Sequence, residues 1–555
     1  MISIIIDSKL SRFHKEMKYV FSFIFKSLGY HFQFITNWEE LKANDIFIFY
    51  GLTELTPEEI KVLAKRNITF FIPCDFEFYD PKAYTADKLR RCLREHKLLS
   101  ITPVISARKF ENIAENYSES DVNGGKFNFD LVGNIFLHLS NLEERTDAQA
   151  MDKGIYPDEA SAFYNFKDIP IVDNLLWLMD SMIKEHCRAK KSFIAQKMFW
   201  PDAQQAAVLL SHSIDDLQKW DLSSLVLSLA DDLAMFFSFK WKQLGHNLAG
   251  KLKFIFTNYE LYWNFEEFRK LERESGCRST YYLATEPCEE IDYSLEDPDL
   301  QEEIQQILRE GNDIGLMTTG DKLNRDDYLT RKQILLHQLG KEQIGIRQCG
   351  FRSNETTRDL QNKISPSYSQ SSSFQNVPGF KNGISLPWYP WISGNKAEFV
   401  ELPTEYRDNH LKLTKHKLVQ LEDAKHQIKK FYHQATRSHG IFSVDFSIAS
   451  YSDIHYCNKL YAYILALVKS GNNYLATAAE LAAWWEKRGR ITIDEGEYEI
   501  SVFFPDDIDS FVLSVHGDPK ILEIDGISAK IEGNTIRFNN VKAESIAVIR
   551  LNKNA

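Results

Sequence analysis

Cysteine is scarce in this chain and badly placed for pairing. The seven present (Cys74, Cys92, Cys187, Cys277, Cys288, Cys349 and Cys457) stand singly, with no C-x-x-C spacing. That argues against a zinc knuckle or a redox dithiol. An odd, dispersed set suits a reducing compartment better than a disulfide framework. No run approaches the ~20 consecutive apolar residues of a membrane helix, so no membrane span is expected. The first apolar run, Ile2 to Ile6, is too short for a secretory core and no basic residue precedes it. It reads as a strand, and the expected address is cytoplasmic. G-x-G-x-x-G and P-loop motifs are missing, so nucleotide binding has little support. No repeat of about 20–50 residues is visible. The formal charge of -12 lacks the basic footprint of non-specific nucleic acid binding.

What is there fits a globular protein of several units. A chain of 555 residues should hold two to four domains, and 44% hydrophobic with 26% charged residues is ordinary for a soluble fold. Aromatic residues reach 13%, serving either cores or sugar-stacking surfaces. Residues 1–195 alternate strand and helix patterns, which argues a small doubly wound α/β domain. Ile2 to Ile6, Asp45 to Tyr50 and Ile68 to Ile72 read as strands. Lys15 to Leu28 reads as an amphipathic helix stopped by Gly29, and Thr56 to Glu59 as the capped start of another. Val122 to Phe127 reads as a loop, and Cys187 to Ala195 as a basic, solvated linker.

Residues 196–490 repeat the alternation with the rhythm of a parallel α/β barrel. Helical patterns cover Asp221 to His246, Phe265 to Ser275, Leu300 to Glu310, Asp326 to Leu339 and Leu418 to Ala435. Strand patterns fall at Val208 to Leu210, Thr280 to Ala284, Ile314 to Met317, Gly345 to Gln348 and Gly440 to Phe446. Ser365 to Gln375 is Ser-rich and reads as a flexible linker or as a strand with its loop. From residue 491 to 555, short alternating strands broken by turn signals predict a small β-sandwich.

The chain is organised around Val208 to Trp220, V-L-L-S-H-S-I-D-D-L-Q-K-W. A bare apolar strand runs straight into Ser211, His212, Ser213, Asp215 and Asp216. The carboxyl ends of parallel strands are where sites are built, and such a cluster is costly to desolvate unless paired or used. A site and a helix cap by Asp215 or Asp216 are both open on these residues.

L-S-H-S-I-D-D resembles the first motif, L-T-H-D-x-D, of a bacterial branch of the polysaccharide deacetylase (NodB-homology) superfamily. Further likenesses follow in order. Leu261 to Phe268 with Gly276 to Tyr282 resembles that branch's second strand and its lead-in helix. Gly311 to Gly320 (G-N-D-I-G-L-M-T-T-G) is similar to its H-E-I-G-L-H-G-S segment. Gly345 to Phe351 (G-I-R-Q-C-G-F) is similar to G-x-R-Q-H-Y-L, and Gly379 to Pro387 to G-F-R-x-G-T-x-x-P-F. The resemblance covers about residues 200–490, and implies a distorted barrel of seven strands and metal-dependent deacetylation of a saccharide. An Asp and two His would hold a divalent, zinc-like cation, a second Asp would act as base, and a late His as acid.

Against that pattern the chain keeps His212 and Asp215 but carries Ser213, Met317, Cys349, Ser369 and Lys381 where the family has Asp, His, His, Asp and Arg. The late His is replaced near Asp445. Thioether and hydroxyl are poor substitutes for imidazole toward such a metal. The expectation is a catalytically degenerate, deacetylase-like module that binds a saccharide or a polysaccharide-biosynthesis protein, with no metal. Its residual site would comprise Asp215, Asp216 and Arg347, with His212, Ser213, Gln348 and Trp388 toward substrate. Two alternatives stay open. One is an active hydrolase with Asp215, His212 and Cys349 as rearranged ligands. The other is a glycosidase-like pair of Asp215 or Asp216 with Asp445.

Overall fold

The computed structural model describes residues 1–37, 40, 45–52, 69–80, 83–98, 100–106, 125–147, 155–218, 261–320, 324–414, 417–517 and 519–552, with scattered residues from 232 to 248. The helix start at Thr56 to Glu59, and all but a few residues of the Asp221 to His246 pattern, lie outside them.

The N-terminal unit is a five-stranded parallel sheet in the order Phe32–Phe34, Ile2–Ile6, Ile46–Gly51, Phe70–Pro73 and Gly125–Lys126. The last of these falls in the stretch read as a loop; as a two-residue edge strand it is too short for any periodicity to signal. The helix His14–Leu28 buries Met17, Val20, Phe21, Ile24, Phe25 and Leu28, an apolar stripe at helical spacing. It ends at Gly29, whose φ of 84° is left-handed; a Cβ there would meet the Lys197 carbonyl at 2.3 Å.

The central sheet runs Ala206–Ile214, Ser279–Leu283, Asp313–Thr318, Ile346–Gln348, Tyr368–Ser372 and Val400–Pro403, each paired in parallel with the next. On the other side of Ala206–Ile214 lies Ile441–Asp445, and beside that Tyr406–Arg407. The two edges of the sheet, Val400–Pro403 and Tyr406–Arg407, are therefore joined by Thr404 and Glu405 alone, and the sheet curls back on itself. Helices Phe265–Ser275, Pro298–Arg309, Arg325–Leu339, Glu355–Lys363 and Leu421–Arg437 fall between successive strands, as parallel connections require. The Ser-rich stretch resolves as the strand Tyr368–Ser372.

The stretch read as a linker is not one. Residues up to Lys190 finish the helix Ile171–Lys190, and Ile194–Lys197 is a buried strand. It pairs antiparallel with Ile508–His516 in a sheet that continues through Thr535–Val541 to Ala529–Glu532. The basic side chains of Arg188, Lys190 and Lys191 do face solvent, which is what the sequence registers; the backbone pairing comes from Leu513 to His516, far along the chain. A second antiparallel sheet holds Thr492–Glu495, Glu499–Phe504, Ser545–Asn552 and Lys520–Asp525. Phe504 of this sheet meets Phe511 and Phe538 of the other, ring centroids 5.4 Å apart in each case.

Arg488 joins all three parts. Its guanidinium donates to the carbonyls of Lys26 and Ser27 at the end of the first helix, and to those of Lys197 and Met198, at 2.7–3.0 Å. Lys197 Nζ in turn donates to the carbonyls of Arg488 and Ile491, and burial pushes this amine down to about 7.

Candidate functional site inside the curled sheet

The strand Ala206–Ile214 is buried along its whole length, and its side chains alternate between two environments. Ser211 and Ser213 point inside the curl. Ser211 Oγ donates to Asp445 Oδ1 and Ser213 Oγ to Asp445 Oδ2, each at 3.0 Å. The in-register pairing of Ser211 with Asp445 sets this up. Arg347, on a strand three places away, completes the cluster. Its guanidinium is bonded to Asp445, to Ser211 Oγ at 2.7 Å and to Ser213 Oγ at 3.2 Å. It lies over the Tyr282 ring, 3.8 Å from the centroid, and 4.6 Å from that of Phe351. Gln370 donates to Thr404 and Ser443 and accepts from Tyr282. Arg347 is 0% and Asp445 2% exposed. A cation, a carboxylate and their hydroxyls thus satisfy one another in the interior, as buried charges must.

His212, one residue from each serine, faces the helix layer instead. Nδ1 sits 2.9 Å from the Phe446 carbonyl and Nε2 2.8 Å from Glu272, with Phe268 and Tyr281 against the ring. It shares no face with Ser213, which corrects its expected place toward substrate: a strand runs on through it, so its odd spacing from 213 and 215 sends it across the sheet. Gln348 is corrected for the same reason. It follows Arg347 by one residue, and its Oε1 accepts from Thr318 and from Tyr328 of the helix behind the sheet.

Asp215 and Asp216 lie past the strand's end. Asp215 is half-buried, its Oδ1 accepting from the Asp216 backbone at 3.1 Å. Burial, then the neighbouring charges of Asp216 and Asp408, push it up to about 7. The Asp216 carboxyl is raised as well, by partial desolvation and then by Asp292. Asp292 takes the backbone N–H groups of the described residues Leu217 and Gln218 that a cap at Asp215 would use. Cys349 is buried at 5% exposure, and burial, then Glu290 and Asp215, hold its thiol protonated far above its ordinary range. Met317 is in register with Arg347, inside the curl. Trp388 is 2% exposed and bridged through its backbone to Glu401, outside the curl.

A divalent cation held by Asp215, His212 and Cys349 does not fit these residues. His212 lies across the strand and is engaged by Glu272, and Arg347 already supplies the positive charge beside Asp445. Among the described residues no three His, Cys, Asp or Glu side chains are grouped to hold a metal ion. The glycosidase-like pairing meets a similar obstacle: both oxygens of Asp445 are taken by Arg347 and the two serines.

Glu272, Gln370, Tyr282 and Asp292 escaped the sequence reading. Gln370 carried a signal, as the one residue in its Ser-rich strand able to span several neighbours; the other three read as ordinary helix, strand and loop residues.

Residues 5–188 match a family model described as a family of unknown function (DUF7033). No curated protein matches the chain. Among solved structures, a probable polysaccharide deacetylase from Pseudomonas aeruginosa PAO1 is similar at 11% identity over 52% of this chain and 94% of that one, with a TM-score of 0.37. Puue allantoinase is similar at 12% identity over 52% of this chain and 93% of that one, with a TM-score of 0.35. Such loose superpositions fix neither fold nor activity; the order of strands in the chain itself defines its architecture. Among the described residues, no helix is long and apolar enough to cross a membrane.

Proposed function

We propose that the central unit is a deacetylase-like barrel that has lost its metal and its hydrolytic chemistry, and that the protein serves carbohydrate metabolism as a saccharide- or partner-binding module. Two things support the barrel. The five motif likenesses occur in order along the chain. Counting Val400 to Arg407 as one bent strand gives seven strands in a closed circuit. The loss of chemistry is supported by one observation above all: the Arg347 guanidinium is bonded to Asp445, Ser211 and Ser213. A fixed cation beside Asp445 repels a second, and the ion pair occupies the carboxylate that could otherwise take a proton from water. Asp215, Asp216 and Arg347 are then remnants of the site rather than a working set. All seven cysteines are free thiols, which supports a reducing compartment such as the cytoplasm.

The test is a calorimetric zinc titration of the whole chain, together with an assay for acetate release from acetylated chitooligosaccharides. The expected result is negative in both. Stoichiometric zinc binding at about micromolar affinity or tighter, or acetate release above background, overturns the proposal.

A further inference from the structure

A cleft separates the N-terminal unit from the outside of the barrel, away from the curled sheet's interior. It has two lobes that share Asn141, Lys381 and Asn382. One lobe reaches Tyr156 and Phe374, the other Trp388. Both units supply walls, so the cleft exists only because they are docked. Asn382 holds the seam: its amide donates to the His138 carbonyl and to Asn141 Oδ1, each at 2.9 Å.

Three features define what would fit. First, the cleft's charged groups are already engaged: it holds four carboxylates, Glu143, Glu144, Asp158 and Glu401, against Arg358 and Lys381, and Glu401 Oε1 accepts from the Ser371 and Ser372 N–H groups. Glu144 sits between Arg358 at 2.9 Å and Lys381 at 3.2 Å. Second, its acceptors are used. Asp158 takes the backbone N–H groups of Gln375 and Asn376, and Glu143 takes Ser161 Oγ and the Ala162 N–H. Third, donors are left over. Trp388 Nε1, an obligatory donor, is buried with no hydrogen-bond partner among the described residues. A buried polar group without a partner is costly, so a ligand that supplies one is favoured. Asn141 Oδ1 accepts from Asn382, which leaves its own N–H groups to a ligand.

A complementary ligand is uncharged, rich in acceptor oxygens, and apolar on part of its surface where Tyr156 and Phe374 line the wall. Peptide N–H groups would find the carboxylates already taken. We propose that this cleft between the units binds an uncharged sugar ring, with Trp388 and Asn141 donating to its oxygens. The hydroxyl protons of such a ring can stay in water, because the cleft is open. This rests on the saccharide-binding reading above and moves the binding site from the barrel interior to the seam.

The experiment uses the full chain with maltotriose, cellotriose and chitotriose, followed by saturation-transfer NMR and calorimetry. Two conservative variants carry it. Trp388→Phe removes the indole N–H and keeps most of the apolar bulk. Asn141→Asp keeps the oxygen that Asn382 needs, and the left-handed backbone that Asn and Asp tolerate (φ 50°), while removing the amide donor. The expected result is that at least one sugar binds and that each variant weakens it about tenfold, one hydrogen bond's worth. Unchanged affinity in both variants, with binding lost in Asp215→Asn, moves the ligand to the barrel mouth; this inference then fails while saccharide binding stands. No binding of any of the three sugars by the intact chain overturns both.

Discussion

Replacing Arg347 with Met should be among the most damaging single changes in the barrel. The guanidinium is buried against Tyr282 and Phe351 and gives three hydrogen bonds to Asp445, Ser211 and Ser213. At an effective dielectric of ~20, opposite charges ~4 Å apart attract by about 4 kcal/mol. Met keeps much of the bulk but leaves the Asp445 carboxylate buried and unpaired, and breaking such a pair costs about 3–5 kcal/mol. Removing both partners, as Arg347→Met with Asp445→Asn, should recover more than half of that loss. The measurement is urea unfolding monitored by tryptophan fluorescence, run as a double-mutant cycle. The expected coupling is about 2–3 kcal/mol. Single variants that each cost under about 1 kcal/mol and simply add would mean the guanidinium is not the interior's counter-ion. Arg347 would then not be what keeps a metal cation from Asp445.

Asp215 should behave in the opposite sense. Its folded pKa is raised from the ordinary value of 3.8 to about 7, so the native state holds a proton that the unfolded chain releases. The stability this represents is present below pH ~4 and is lost as pH rises through ~7. Asp215→Asn should therefore raise the melting temperature by a few degrees at pH 8, about 1–2 kcal/mol after discounting for partial exposure, and do nothing at pH 4; an equal effect at both values refutes this. His212→Ala should cost about 3 kcal/mol in thermal melts by leaving a cavity among Phe268, Tyr281 and Tyr461 and removing one of the partners of Glu272, which keeps Tyr461 and Ser279, whereas a purely ligand-facing histidine would leave the melt unchanged. Arg488→Ala breaks four bonds to backbone carbonyls that link the three parts. Scanning calorimetry should then show a split or broadened transition, and Arg488→Lys should restore little because it lacks the fork; a single sharp endotherm at the native temperature would count against that role.

Much of the architecture was legible from residue order. The stripe from Met17 to Leu28 with Gly29 behind it marks a helix and its stop, and the structure ends the helix there. Ser279–Leu283, Asp313–Thr318, Ile346–Gln348 and Ile441–Asp445 fall within a residue or so of where apolar runs and turn signals place them, because burial and backbone propensity are local properties, whereas Ala206–Ile214 runs four residues past the predicted Leu210 and the short strands Val400–Pro403 and Tyr406–Arg407 are not among the predicted ones. Two kinds of information were not local. Ile194–Lys197 looks like the tail of a basic linker because what makes it a strand is pairing with distant backbone, chiefly Ile508–His516 and also Tyr30. Gly125–Lys126 is likewise a strand only through its pairing with Phe70–Pro73.

For the site, the chain by itself determined that a polar cluster follows Leu210, and that imidazoles are missing where the resembling family has them. Both are matters of residue identity. The tertiary structure decided which of those side chains meet. A strand sends neighbours to opposite faces, so a one-residue step separates His212 from Ser213 and Gln348 from Arg347. Where that strand ends is set by its pairing with Ser279–Leu283 and Ile441–Asp445 rather than by its own residues. Arg347 and Asp445 are 98 residues apart, and only the curl of the sheet brings the guanidinium to the carboxylate.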